Sequence, residues 1–214
     1  HVDSDKYVGD ILSKDGTNMK KIKDRCDKGF GSINEIVAIL DELPLGPYRI
    51  VTGLKLREAI FLSRLLLNSE SWYNLKECEI DKLAAMDEQL LRKILKAPMS
   101  TSKESLYLET GCIPLKFVIM KRRLLYYYHI ITRPENELIH KFYKAQKLKP
   151  SKGDWVNLLK DDERIIGINL NDKETAEMRK NKFKEMIKVA INKAAFKHLM
   201  KIKTKHSKLD GLTY

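Results

Sequence analysis

The stretch Asn74-Leu75-Lys76-Glu77-Cys78-Glu79-Ile80-Asp81-Lys82-Leu83-Ala84-Ala85-Met86-Asp87-Glu88-Gln89-Leu90-Leu91-Arg92-Lys93-Ile94-Leu95 decides the fold class. Its apolar residues Ile80, Leu83, Ala84, Leu90, Leu91, Ile94 and Leu95 recur at helical spacing and gather on one side of a long helix. Asn74 followed by Glu77 has the spacing of a capping box, in which each side chain satisfies a backbone donor that the first turn leaves open. Pro98 closes the segment.

Working outward, the same signals recur. Thr101 with Glu104 repeats the capping-box spacing, and Gly111 supplies a helix stop. Pro114 suits a first helical turn, so the next helix is expected from about Leu115 to Ile131. Another starts at Pro134 and continues to about Leu148. Upstream, Asn18 can cap a helix with apolar positions at Met19, Ile22, Cys26, Phe30, Ile33, Ile36 or Val37, and Leu40. Gly29 and Gly31 weaken its middle and are expected to bend it, and Pro44-Leu45-Gly46-Pro47 ends it. Leu54 to Leu67 reads as a helix buried on most sides.

Towards the other end, Trp155, Leu158, Leu159, Ile165 and Ile166 mark a further helix. Asn171 with Glu174 caps a last helical region, broken near Asn181 and reaching about Lys203. Phe183, Met186, Ile187, Ala190, Ile191, Ala194, Phe196, Leu199 and Met200 make one broad stripe along it, expected to be core contact. An amphipathic helix on a membrane surface is the rival reading. Only Lys6 to Leu12, followed by the turn Ser13-Lys14-Asp15-Gly16, reads as a strand or hairpin. The expected fold is mainly α, a multi-helix bundle behind a short N-terminal β strand or hairpin. Its expected parts are an extended segment 1–17, a helical domain 18–149 and a basic helical tail 150–214, with Pro150 and Gly153 marking the second boundary.

The 214 residues carry 41 basic and 29 acidic side chains, a net charge of +12. Distribution is more telling than the sum. The first 115 residues hold 17 basic and 18 acidic, Lys116 to Lys149 hold 9 and 2, and Lys173 to Lys208 hold 12 and 3. Charge concentrated in this way raises the potential felt by a phosphate backbone, whereas dispersed charge mainly keeps a protein soluble. Three distant cysteines, Cys26, Cys78 and Cys112, form neither a C-x-x-C pair nor a disulfide framework, which favours a reducing, intracellular setting in nucleus or cytoplasm. No apolar run reaches the ~20 residues needed to cross a bilayer. The start at His1, with no basic-then-apolar leader, reads as a fragment or processed product.

No catalytic, metal-binding or cofactor-binding constellation emerges. Asp161-Asp162 is the one adjacent pair of aspartates, and neighbours on a helix point in different directions, so both read as surface charge. The five histidines have no metal-ligand spacing. Gly29-Phe30-Gly31-Ser32 lacks the spacing and the lysine of a phosphate-binding loop. The stretch with positive content is Lys121-Arg122-Arg123-Leu124-Leu125-Tyr126-Tyr127-Tyr128-His129. There Lys121, Arg122 and Arg123 offer phosphate contacts and Tyr127 a stacking surface. A partly buried helix with tyrosine hydroxyls at its rim is an equal reading. Lys182, Lys184, Lys188, Lys193, Lys197 and Lys201 extend the candidate nucleic-acid-binding set along the last helix, where lysines suit nonspecific backbone contact.

Several short segments, taken in order, resemble the region after the catalytic core in reverse transcriptases of non-LTR (LINE-like) retrotransposons. Lys6-Tyr7-Val8-Gly9-Asp10-Ile11-Leu12-Ser13-Lys14-Asp15-Gly16 is similar to that family's primer-grip segment, with Val8 in place of the usual leucine. Leu67-Asn68-Ser69-Glu70-Ser71-Trp72-Tyr73 resembles its thumb stretch ending in tryptophan, and Asp87-Glu88-Gln89-Leu90-Leu91-Arg92-Lys93-Ile94-Leu95 the helix that follows. Leu108-Glu109-Thr110-Gly111-Cys112-Ile113-Pro114-Leu115 and Met120-Lys121-Arg122-Arg123-Leu124 continue in register. The likeness spans roughly Lys6 to Lys208. It implies a thumb-and-connector bundle that holds a primer–template duplex or element RNA, with Tyr7, Val8 and Gly9 as primer-grip-like residues. It also implies that the metal-binding aspartate pair, with fingers and palm, belongs to a missing part of a parent polyprotein, so this chain is no enzyme on its own. The partners implied are an RNA or DNA backbone and that missing part. The alternative is a domesticated structural or protein-interaction bundle with a solvated basic tail.

Overall fold

The computed structural model describes residues 4–7, 10–14 and 17–210, with side chains described at 11, 13–14 and 17–202. The chain is mainly helical. Ser4–Tyr7 (β1) pairs antiparallel with Asp10–Ser13 (β2) in a two-stranded hairpin, with Ser4 opposite Ser13 and Tyr7 opposite Asp10. The helices divide into two compact units, 1–68 with 75–115 and 69–74 with 116–214. The division therefore falls after Leu115, and the Pro150–Gly153 segment lies inside the second unit.

In the first unit, α1 (Met19–Asp41) packs on α4 (Glu77–Leu95). Ile22, Ile33, Ile36 and Leu40 of α1 are buried, as are Leu83, Leu90, Leu91 and Ile94 of α4. Met19 and Phe30, expected on the apolar face of α1, are exposed instead. Gly29 takes an inward position, where an added Cβ would fall 2.9 Å from Leu65 Cδ1. It permits close approach in an unbroken helix rather than interrupting one. The helical stretch expected from Leu54 starts earlier. It comprises α2 (Pro47–Leu56), a π-helical turn Arg57–Phe61, and α3 (Leu62–Leu65). Pro47 opens α2 because its missing N–H is needed by no partner in a first turn.

The capping expectations shift by one or two residues. Lys76 stands at the N-cap of α4 and its backbone N–H donates to Glu79 Oε2 at 2.8 Å, so Asn74 and Glu77 are not the box. Asn74 instead adopts a left-handed conformation, φ 49°. Ser102, not Thr101, caps α5 (Lys103–Thr110) by accepting the Ser105 N–H at 3.2 Å. Gly111 ends that helix at φ 66°, as its position leads one to expect. A buried ion pair fixes the π-helical turn to α4 and α5. Arg57 donates to both oxygens of Asp87 at 2.6 and 2.8 Å, and the Tyr107 hydroxyl donates to Asp87 Oδ2 at 3.2 Å. Burial alone would lower the Arg57 pKa, but the adjacent Asp87 carboxylate raises it above the ordinary arginine value.

The second unit is built from α6 (Leu115–Ile131), α7 (Leu138–Leu148), α8 (Trp155–Ile166), α9 (Asp172–Glu177) and α10 (Lys180–Asp210). The helix expected from Pro134 begins four residues later, at Leu138. Asn171 caps α9 as its spacing indicates, its Oδ1 accepting from the N–H groups of Lys173 and Glu174. The chain breaks at Met178, slightly before the expected point, and restarts as α10. Trp72 and Trp155 are both buried in this unit, and Trp155 Nε1 donates to the Glu70 carbonyl at 2.7 Å. Asn74 N–H donates to the Gly153 carbonyl at 2.8 Å, which joins the 69–74 segment to the turn before α8.

Counted over the two units, the first carries 17 basic and 17 acidic residues and the second 24 and 12. The entire +12 therefore belongs to the second unit. Among the described residues, no helix is long and apolar enough to cross a membrane.

Candidate nucleic-acid interface

Three consecutive basic residues on α6 meet three environments, because a helix turns by about 100° per residue. Arg123 is buried, and its Nη1 donates to Asp162 Oδ2 at 2.6 Å. This corrects two expectations: Arg123 is committed to a carboxylate and is withdrawn from phosphate contact, and Asp162 is a core residue rather than surface charge. Burial pushes the Asp162 carboxyl up to about 6, against the opposing pull of Arg123. Lys121 and Arg122 remain half-buried.

Tyr127 is also buried and offers no ring for stacking. Its hydroxyl donates to Asp172 Oδ1 at 2.8 Å, and the Tyr143 hydroxyl donates to the same oxygen at 2.9 Å. Lys147 Nζ donates to Asp172 Oδ2 at 2.6 Å. Burial would raise the Asp172 carboxyl, but these three donors together hold it below its ordinary value. Burial first, and the neighbouring carboxylate second, push both tyrosines up. Tyr127 is thus a structural residue that ties α6 to the start of α9.

On α10 the buried row is Phe183, Ile187, Ile191, Ala195 and Leu199, one residue every four. Phe196 and Met200, expected within the apolar stripe, are exposed. The six expected lysines are all exposed but do not form one group. Lys184 and Lys188 each follow a buried residue by one position and share a row with Lys180. Lys193, Lys197 and Lys201 each follow a buried residue by two and face away from the core. Lys182 lies on the opposite flank. With Lys193 it borders a mainly apolar depression of about 550 Å³ lined by Ile166, Ile168, Met186 and Val189.

Helices α6 and α10 run in opposite directions. Phe117 meets His198 edge-on with ring centroids 5.6 Å apart, and Tyr128 stacks on Phe183 at 4.8 Å. At the Tyr128 end the two basic segments do meet. Leu125, Tyr128, His129 and Thr132 of α6 and Lys180, Phe183 and Lys184 of α10 line a groove of about 510 Å³. No carboxylate is among these lining residues. The Tyr128 hydroxyl donates to the Met178 carbonyl at 2.8 Å and holds the start of α10 beside α6. His129 is exposed, with Tyr126 loosely stacked beside it at 6.0 Å. By helical spacing, Lys121 lies on the row of Leu125, Tyr128 and Thr132, and Arg122 on the row of His129. Sequence reasoning missed His129, Thr132 and Lys180 as lining residues. The available signal was the four-residue repeat Lys180, Lys184, Lys188.

The primer-grip-like residues Val8 and Gly9, and the side chain of Tyr7, lie outside the described residues. Among the described residues, no group of three histidine, cysteine or carboxylate side chains could hold a metal ion. No protein-family model matches this chain, and neither a curated protein nor a solved structure matches it.

Proposed function

We propose that this chain is a non-catalytic nucleic-acid-binding module that engages the phosphate backbone of RNA or DNA through the groove between α6 and α10. One observation carries the reading. In the unit that holds all the excess positive charge, Lys180 and Lys184 from one basic segment and His129 and Thr132 from the other line a single groove with no acidic residue. Long ammonium-bearing side chains supply charge without planar recognition, so binding follows backbone shape and charge rather than sequence. The resemblance to non-LTR reverse transcriptase thumbs supports the same reading. It would make the ligand a primer–template duplex or element RNA, and would make the fingers and palm of a parent polyprotein the protein partner.

A second reading has its own observation. Lys197 lies two positions past a buried residue and faces away from the buried row, as on any solvated helix face. Such a bundle would serve structure or protein interaction, with the tail giving solubility. Titrating the chain with a hairpin RNA and a matched DNA duplex at several salt concentrations separates the two. Binding should weaken with salt, since each phosphate contact releases counterions. The double change Lys180→Gln, Lys184→Gln should weaken RNA and DNA alike, and more than Lys193→Gln, Lys197→Gln. Salt-independent binding, or equal affinity after the groove changes, returns the chain to the structural reading.

A further inference from the structure

We infer that the α6–α10 groove seats one unpaired nucleotide, its phosphate between Lys180 and Lys184 and its base against His129. The inference rests on the nucleic-acid reading above and names the form of the ligand. The groove volume of about 510 Å³ lies within the range of roughly 300–1,000 Å³ typical of small-molecule sites. In a duplex the bases are stacked inside and only phosphates and groove edges reach a protein, so a depression of this size admits a whole nucleotide only where the strand is single.

The two sides of the groove suit the two halves of a nucleotide. Lys180 and Lys184 stand one helical turn apart on α10, and among the described residues neither has a carboxylate partner. Opposite them, His129 presents an exposed ring from α6, and a base laid on it would prolong the stack that Tyr126 begins. On the same side as His129, Thr132 donates its hydroxyl to the Tyr128 carbonyl at 2.8 Å, so its oxygen remains an acceptor for a base or sugar donor. Every base has a stacking face, so such a seat distinguishes unpaired from paired strands while remaining tolerant of sequence.

Fluorescence anisotropy of the full chain tests this with three probes: a blunt hairpin RNA, the same hairpin with a three-nucleotide unpaired tail, and the tail sequence in a short single strand. The tail should strengthen binding by roughly tenfold, the order of one stacked base. His129→Ala should abolish that gain and leave blunt-hairpin affinity unchanged, and His129→Phe should retain most of it. Lys180→Gln with Lys184→Gln should weaken the tailed probe and the single strand more than the blunt one. Circular dichroism of each variant should match wild type, since these side chains lie outside the core. Equal affinity for tailed and blunt hairpins overturns the nucleotide seat but leaves the backbone-binding function standing. A parallel loss for both probes on His129→Ala also overturns the seat. Absence of salt-sensitive binding to every probe overturns both.

Discussion

At the scale of single residues, burial separates side chains that a basic run makes look equivalent. Arg122 and Arg123 are adjacent and chemically identical, yet Arg123 is buried against the Asp162 carboxylate while Arg122 stays half-buried. A buried ion pair broken on one side leaves an uncompensated charge, whereas replacing both partners by apolar groups removes the desolvation cost on each. Arg123→Met alone should therefore cost about 3–5 kcal/mol in denaturant unfolding. Arg123→Met with Asp162→Leu should be far closer to wild type. The pair also sets a pH response. Folding lifts the Asp162 carboxyl from its ordinary 3.8 to about 6, so between those values the folded chain holds a proton that the unfolded chain has released. For this group, stability falls as pH rises from about 4 to about 6. Asp172 acts in the opposite sense: its folded pKa is lowered, so it stabilises above the ordinary carboxylate value and loses that contribution as pH falls through the lowered one. Carboxyl carbon chemical shifts followed against pH should show Asp162 titrating near 6 and Asp172 below its usual range. A shared midpoint would contradict the two environments.

At the scale of elements, helices were legible and their rotations were not. Local chemistry placed the stop at Gly111, the start at Leu115 and the cap at Asn171, because each depends on a few neighbouring residues. Caps at Lys76 and Ser102 moved from their expected positions because neighbouring polar residues compete to satisfy the same open N–H groups. Glycine shows the same limit. An added Cβ at Gly53 would fall 2.8 and 2.9 Å from Cγ1 and Cγ2 of Ile94, where α2 crosses α4, whereas Gly31 has open space. Gly53→Ala should destabilise the chain by about 1–3 kcal/mol through overpacking, despite the better helix propensity of alanine. Gly31→Ala should stabilise it by up to about 1 kcal/mol for the propensity alone. Thermal unfolding of the two variants side by side gives opposite signs if α1 and α2 are oriented as described.

For the molecule as a whole, electrostatics and packing divide the chain at the same place. The neutral first unit and the second unit with its +12 predict that salt acts chiefly on what the second unit binds. On duplex DNA each phosphate contact contributes about 0.9 to the slope of log affinity against log salt. Removing Lys180 and Lys184 together should reduce that slope by about 1–2, and removing the outward lysines should change it less. Both tryptophans belong to the core of the second unit, so emission of the native chain should be blue-shifted and should move to the red on unfolding. Emission already at the position of a solvated indole in the native state would contradict that packing.

The sequence by itself determined a mainly helical chain, several of its helix ends and the segregation of its charge. Propensity, caps and charge density are local properties carried by neighbouring residues. Tertiary structure alone decided that Arg123 and Tyr127 belong to the interior and that Lys184 shares a groove with His129 while Lys182 and Lys193 border another depression. The physical reason is angular. A broad apolar stripe specifies a helix but leaves its rotation loose by about one residue, or 100°, and only packing against other helices removes that freedom.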